Sequence, residues 1–461
     1  MSRHATAMSV APAPLTRRAI FAQAWPIMVG QATVPLVGIV DTLVVGRTGD
    51  AAALAGVALG ATIINLVFWS FGFLRMGLTG LVAQADGGGA RREVEALLFR
   101  GIGIGFALGL ALFALHVPIT ALALAMMSGG TQVSGEASAY VSARFFGAPA
   151  ALAVYAMTGW LLGLGRTRDA LLLQIVMNLA NAGFDVALVW GAGLGAGGIG
   201  AGTAGAEWLA LITGLAICSR IAGVGPLALL RRTPRADLLD PEALRRLFAV
   251  NRDLMIRTIA LLFAFTWLAN AGARLGATTL AANHVLLQFV SVSAFVLDAF
   301  AFTAEARVGQ AIGAGSRERF LRSVRLTSEF AIAGGLVLAA IYWLAGGTVI
   351  NLIVTDPATA SIAVAFLPFA ALIPLIGAPS WMLDGVFIGA TQGKALRNAA
   401  VLTTALYVAL DLTLRQTGNI GVWIAFTTTY LLRAATLGAY IPGLMRSIDG
   451  KDILANSASA P

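Results

Sequence analysis

Long apolar stretches follow one another from end to end of this chain, each closed by a short cluster of glycine, proline or charged residues. Every stretch reaches the roughly 18–20 residues that a helix needs to cross a hydrocarbon core of about 30 Å. The pattern predicts transmembrane helices at 17–46, 54–84, 95–126, 137–163, 169–191, 197–222, 246–272, 280–313, 321–354, 359–390, 395–416 and 421–446. Several of these twelve spans exceed what the bilayer requires, which implies tilt or extension past the headgroups. The apolar/polar alternation of a membrane β-barrel is absent. The expected class is an all-α membrane protein.

The spans form two sets of six. Val82-Ala83-Gln84-Ala85-Asp86-Gly87-Gly88-Gly89-Ala90-Arg91 returns 226 residues later as Val308-Gly309-Gln310-Ala311-Ile312-Gly313-Ala314-Gly315-Ser316-Arg317. The same offset aligns Gly46 with Gly272, Leu54-Ala55 with Leu280-Ala281, Gly159 with Gly385, Gly163 with Gly389 and Asp185 with Asp411. Chance matches would scatter over many offsets, so two homologous lobes are expected. They fall at 17–222 and 246–446, joined by a linker at 223–245 that Pro226, Pro234 and Pro241 interrupt. The flanking segments 1–16 and 447–461 read as tails, the second frayed from Asp449. Paired halves in a membrane point to alternating-access transport, with the substrate path between them.

Composition fits that solvent: 58% of residues are hydrophobic and 11% charged, against roughly 25% charged in a soluble domain. A net charge of +9 would suggest nucleic acid in a soluble protein, but here the basic residues cluster in alternate connections. Arg17-Arg18, Arg91-Arg92-Arg100, Arg166-Arg168, Arg231-Arg232-Arg235-Arg245-Arg246, Arg317-Arg319-Arg322-Arg325, Lys394-Arg397 and Arg446-Lys451 fall on one side. Only Arg47, Arg274 and Arg415 fall on the other. The positive-inside rule then places both termini and the linker in the cytoplasm, for a multi-pass protein of the cytoplasmic membrane. The expected partners are the bilayer and small solutes, not nucleic acid, and nothing calls for more than a monomer. No Walker A, Cys-x-x-Cys or His-Glu-x-x-His pattern occurs, so neither nucleotide-driven transport nor zinc chemistry is expected. The lone Cys218 reads as a small apolar residue.

An ionised side chain at mid-bilayer costs roughly 2.5–3.5 kcal/mol on insertion scales, so each acid within a span calls for an account. These acids are Asp41, Asp185, Glu207, Asp298, Glu305, Glu329, Asp384 and Asp411. Glu329 and Asp384 read as lying towards helix ends. Asp41 precedes Gly46, and Asp185 precedes Gly191, by similar distances on two spans of the same direction, so the carboxylates reach similar depth. Asn178, Asn181 and Asp185 share one helical face. Two amides and two carboxylates would make an oxygen-rich, poorly hydrated pocket, able to hold a proton or a sodium ion. They would serve equally to hold the bundle together by hydrogen bonds. Pro26 and Pro35 on the first span permit a kink. In the second half, His284, Ser291, Asp298 and Glu305 recur every seventh residue on one face, a polar network that could relay protons and to which Asp411 belongs. Arg75, Arg144 and Arg433 are the expected internal partners of acids. Phe68, Trp69, Phe71, Phe73, Met157 and Trp160 are candidates for cavity walls.

Taken together the chain resembles the multidrug and toxic compound extrusion (MATE) family, and its DinF-like branch in particular. The resemblance rests on Pro35-Leu36-Val37-Gly38-Ile39-Val40-Asp41-Thr42, Val82-Ala83-Gln84-Ala85, Gly147-Ala148-Pro149-Ala150 and Asn178 to Asp185. In the second half it rests on Ala282-Asn283-His284-Val285-Leu286-Leu287-Gln288, Ala304-Glu305-Ala306-Arg307-Val308-Gly309-Gln310-Ala311 and Asp384-Gly385-Val386-Phe387-Ile388-Gly389-Ala390-Thr391. It implies a two-lobed antiporter, not an enzyme, that exports organic, often cationic or amphipathic compounds against entering protons or sodium. It needs no cofactor beyond the coupling ion. It also implies that Asp41 is the central protonation site and that Asn178, Asn181, Asp185 and Thr203 form the polar cluster of the first lobe. Gln31 stands where the family often has asparagine. The sodium-coupled branch has a glutamate on the seventh span, where this chain has only Asp253. Two other readings stand beside this one: a lipid-linked precursor flippase of the same superfamily, and a major-facilitator porter, whose Asp-Arg-x-Gly-Arg loop is missing here.

Overall fold

The computed structural model describes residues 15–127 and 130–458, with side chains to Asp449. Nearly all of the expected tail 1–16 lies outside that range. The other expected tail does not fray from Asp449: it continues as helix to Ala458. Among the described residues there is no strand, and eleven helices are long and apolar enough to cross a membrane. A twelfth span comes from two helices bent by 54°.

In order, the chain forms α1 (Arg17–Gly46), α2 (Ala51–Ser70), α3 (Phe73–Gly87), α4 (Arg91–Ala114), α5 (His116–Ala125), α6 (Thr131–Phe145), α7 (Ala148–Gly163) and α8 (Thr167–Asp185). A π-helical turn, Val186–Gly191, leads to α9 (Gly195–Ala222). The linker folds as α10 (Pro226–Arg232) and α11 (Arg235–Leu238). Then follow α12 (Pro241–Arg274), α13 (Ala277–Gly313), α14 (Arg317–Ile353), α15 (Pro357–Gly389), α16 (Gly393–Thr413), α17 (Asn419–Gly438) and α18 (Ile441–Ala458). Each expected span has its helix or helix pair. The bent pair α6–α7 is the fourth, hinged at Phe146 and Gly147 ahead of Pro149, whose ring suits a first turn but not a helix interior. The second span breaks likewise at Phe71 and Gly72.

Local chemistry sets the ends. The Asp50 carboxylate caps α2 by accepting from Ala52 and Ala53 N–H at 2.9 and 3.0 Å, and Asp356 caps α15 by accepting from Thr359 N–H at 2.9 Å. Both supply acceptors to first-turn donors that have no partner within the helix. Large apolar side chains such as Leu122, Leu344 and Leu352 stand on the outside, as expected where the solvent is lipid.

By internal contacts the chain divides into two compact units. One holds Val29–Val82 and Gly89–Leu247; the other holds 15–28, Ala83–Gly88 and 248–458. α1, α3 and α12 therefore contribute to both. In the first unit α4 packs along α7, α2 along α6, and both α6 and α8 along α9. In the second, α13 and α14 pack along α15, and α15 and α16 along α17, around Leu286, Phe289, Tyr342, Tyr407, Trp423 and Phe426.

The repeat is visible in these packings. Gly159 lets α7 approach the Arg75 carbonyl, and Gly385 lets α15 approach that of Ala301. Gly163 faces the Thr79 carbonyl as Gly389 faces that of Glu305, and Gly109 faces Ala148 as Gly335 faces Pro374. Every partner pair keeps the 226-residue offset. A Cβ at any of these glycines would meet backbone closer than real contacts allow, so the residue type is fixed by interhelical distance.

Candidate functional site

Within the first unit, α1, α6, α8 and α9 gather the polar side chains of one apolar bundle. Asp41 on α1 is 7% exposed, Asn181 and Asp185 on α8 are 2% and 0% exposed, and Glu207 on α9 is 5% exposed. The carboxyl groups of Asp41 and Asp185 approach closely enough to share a hydrogen bond when one of them carries a proton. Beyond that pair, Asp185 has the Asn181 amide beside it, and Asp41 Oδ1 has no other hydrogen-bond partner. Among the described residues neither acid has a cation at ion-pair distance. Asn181 donates through Nδ2 to Thr203 Oγ1 at 2.9 Å, and Thr203 donates to the Ile199 carbonyl at 3.0 Å, fixing the amide. Gly202 on α9 lies directly against Asp185, leaving no room for a side chain. Asp185 is also the last residue before the π turn, the kind of local register change that is frequent at functional sites. The indole of Trp190 in that turn donates to the Val44 carbonyl of α1 at 3.0 Å, tying the two acid-bearing helices together beyond the pair.

A second charged pair lies beside the first. Arg144 on α6 donates to Glu207 at 2.6 Å, and its guanidinium lies 5.0 Å from the ring centre of Phe68. Its charge is felt at Asp41 and Asp185, and at Tyr140 and Tyr155 in the same bundle. Both members of this ion pair were legible as intramembrane charges, but their pairing was not.

Other expected members stand apart. Asn178 is half-buried and accepts from Gln174 at 2.8 Å on its own helix. Gln31 is half-buried on α1, nearly three turns before Asp41. Pro26 is buried and Pro35 exposed inside one continuous helix, with the division between units falling between them. Trp160 and Met157 are fully buried in packing, and the Trp160 indole donates to the Val94 carbonyl at 2.8 Å, so neither lines a cavity.

The heptad stripe on α13 is not joined at its first two members. His284 is exposed and 3.3 Å from Gln288 Nε2, while the Ser291 hydroxyl donates to the Leu287 carbonyl at 2.9 Å. Asp298 is half-buried and Glu305 is 1% exposed. Successive members lie about 10 Å apart along the axis, too far to pass a proton directly. Asp411 belongs instead to a different constellation. Its Oδ2 accepts from the Trp267 indole and from Arg274, each at 2.9 Å. Asp384 is no solvated helix end: Arg257 at 2.9 Å and Arg433 at 2.7 Å clamp it. Asp253 is buried and held by Arg397 at 2.9 Å.

The offset explains both centres. Trp267 stands at the position of Asp41, and Asp411 at that of Asp185. Both halves therefore join the same two helices at the same level, one through two carboxyls, the other through an indole and a carboxylate. Arg433 likewise occupies the position of Glu207 with opposite charge.

The fold and this buried polar centre define a multi-pass membrane transporter built from a repeated helical bundle. The family model named MatE matches residues 26–187 and again 255–413, and the chain belongs to that family. It is 34% identical over 424 residues to the DNA damage-inducible protein F of Escherichia coli, covering 92% of this chain and 91% of that one. It is 28% identical over 368 residues to a probable multidrug resistance protein NorM of Aromatoleum aromaticum, covering 78% and 77%. Among solved structures, the Vibrio cholerae MATE transporter VcmN in its bent form matches with a TM-score of 0.83 at 18% identity, over 94% and 98% of the two chains. A MOP superfamily transporter of Pyrococcus furiosus matches with a TM-score of 0.82 at 17% identity, over 94% and 96%. Family membership sets aside the major-facilitator reading. As a member of that family the protein is a membrane transporter, not an enzyme.

Proposed function

We propose that the protein is a proton-coupled antiporter of the cytoplasmic membrane, with both termini cytoplasmic, in which protons and organic cations compete for Asp41 and Asp185. The observation that carries this reading is the comparison of the pair with its repeat. Trp267 supplies a permanent N–H to Asp411, whereas Asp41 can reproduce that bond with Asp185 only while one carboxyl is protonated. With the proton gone, two like charges face each other in a dry pocket, and a cation is the ligand that relieves them. Entry of the proton from outside then displaces the cation, and alternating access turns that exclusion into exchange. A one-for-one exchange of a proton for a monovalent cation moves no net charge, so the pH difference drives it: each unit is worth about 1.4 kcal/mol, a tenfold substrate gradient.

Reconstituted liposomes test this. A pH jump should drive ethidium uptake, and Asp41→Asn should abolish it, because the amide supplies the N–H permanently and removes the negative charge. Uptake that follows a clamped sodium gradient and ignores pH would replace the proton by sodium. Flipping of lipid-linked substrates without dye movement would favour the flippase.

A further inference from the structure

A groove of about 710 Å³ opens on the flank of the second unit, between the start of α16 and the end of α17. Its floor is Ala399, Val401, Leu402 and Ala405 on α16, with Thr436 and Ala439 opposite. The small alanines create the depression. Val401 and Leu402 are 47% and 50% exposed, and both lie within the membrane-spanning stretch Gly393–Thr413. Apart from the Thr436 hydroxyl, which is bonded to the Arg433 carbonyl, polar groups stand only at the end where α16 begins. There the Arg397 guanidinium donates to Asn398 at 3.1 and 3.0 Å and to Asp253 at 2.9 Å, and Asn398 donates to the Tyr440 hydroxyl at 3.3 Å. This hydrogen-bonded rim holds Arg397 in place while leaving 28% of its side chain accessible. Arg252, with 59% of its side chain accessible, and exposed Lys394 add charge beside it. Asp253 lies at ion-pair distance from both Arg397 and Arg252, at 2.9 and 3.3 Å, so its single charge leaves the rim net positive.

We infer that this groove is a binding site for one anionic phospholipid, its phosphate on the Arg397–Lys394–Arg252 rim and one acyl chain along Val401, Leu402 and Ala405. The polarity runs the right way: charge at headgroup depth, then about 12 Å of apolar wall from Arg397 to Ala405. Tyr440 sits where interfacial tyrosines sit, with its ring on the apolar side and its hydroxyl in the rim. Basic residues immediately beside a membrane helix attract anionic lipid. The volume lies within the roughly 300–1,000 Å³ of sites for small ligands, so it admits part of one lipid rather than a generic annulus. A neutral headgroup would fill the trough without using the rim.

The test compares phosphatidylglycerol and phosphatidylcholine of matched chains, added to the purified full-length protein in detergent, with Tm and lipid retention in native mass spectrometry as readouts. Phosphatidylglycerol should raise Tm more than phosphatidylcholine and stay bound as a single adduct. Ala405→Phe fills the trough and should remove that adduct while Tm in detergent alone stays level or rises. Lys394→Ala, on an exposed side chain, should weaken the preference without removing lipid altogether. Should Ala405→Phe fail to fold, Val401→Trp replaces it. Equal effects of the two lipids, retention of the adduct in the filled variant, or its displacement by ethidium would each overturn the assignment.

Discussion

Replacing Gly202 by alanine isolates the acid pair without removing either acid. The new methyl would fall onto Asp185 Oδ1 at a distance real Cβ atoms do not show, with the Asp185 backbone N at 3.0 Å and the Phe184 carbonyl carbon at 3.2 Å behind it. Either the carboxyl swings away from Asp41 or α8 parts from α9. Overpacking of this kind costs about 1–3 kcal/mol, and the better helix propensity of alanine returns about 0.8–1 kcal/mol, so the net loss of stability is roughly 0–2 kcal/mol. The electrostatic effect is separable. At an effective dielectric constant of about 20, moving two like charges from roughly 4 to 5 Å relieves about 0.8 kcal/mol of repulsion, close to half a pH unit. Losing the shared hydrogen bond acts in the same direction.

Gly183→Ala is the matched control. It lies two residues before Asp185 on the same helix, and a Cβ there meets nothing within 4 Å. Dye efflux from liposomes, run at a fixed proton gradient over a series of absolute pH values, should keep its midpoint in Gly183→Ala. In Gly202→Ala the midpoint should move to lower pH by about half a unit or more, with a loss of maximal rate. Identical pH profiles for the two variants would refute the claim that the geometry of the carboxyl pair sets the proton step.

Glu207→Leu strands Arg144 in the bundle and should cost about 3–5 kcal/mol by thermal melting, whereas the double variant Arg144→Met/Glu207→Leu should recover most of that loss. Arg274→Gln removes the cation from Asp411 and should destabilise more than Trp267→Phe, which deletes one neutral donor worth about 1 kcal/mol; neither should shift the pH profile of transport. The Asp356 carboxyl lies outside the membrane spans, and its bonds from the Thr359 hydroxyl and N–H hold it below the usual carboxylate range. A depressed carboxylate stabilises the folded state above its unfolded pKa and ceases to as pH falls through the folded one. Amide exchange in the first turn of α15, corrected for intrinsic rates, should therefore accelerate at acid pH, and the acceleration should be missing in Asp356→Asn.

The spans were legible because membrane crossing demands length and apolarity, both written locally. The repeat was legible because interhelical glycines are fixed by backbone distance, so Gly159 and Gly385 survive where side chains have diverged. The stripe ending in Asp185 was legible for the same reason a helix has a face. Pairings were not: Arg144 and Glu207 are 63 residues apart, and charge alone does not say which acid an arginine reaches. Seven-residue spacing put His284, Ser291, Asp298 and Glu305 on one face, but His284 and Ser291 bond along their own helix, since sharing a face says nothing of contact between positions two turns apart. The break at Phe146–Gly147 is prepared locally by Pro149, whereas the pattern of apolar positions runs on through the break at Phe71–Gly72 and the π turn after Asp185.

The two halves answer one structural requirement in different ways, and the difference bears on why Asp41 is an acid. A polar bridge between the first and fifth helices of each half holds those helices in register. In the second half Trp267 and Arg274 meet that need around Asp411, with every charge balanced at contact distance. An indole at position 41 would do the same for Asp185. Instead the first half keeps a second carboxyl, at an insertion cost of roughly 2.5–3.5 kcal/mol, and leaves the nearest arginine paired with Glu207. A purely architectural bridge has no use for that extra charge. The Trp267–Asp411 pair thus serves as an internal control for architecture, and in the proposed function what Asp41 adds beyond it is the capacity to exchange a proton for another cation.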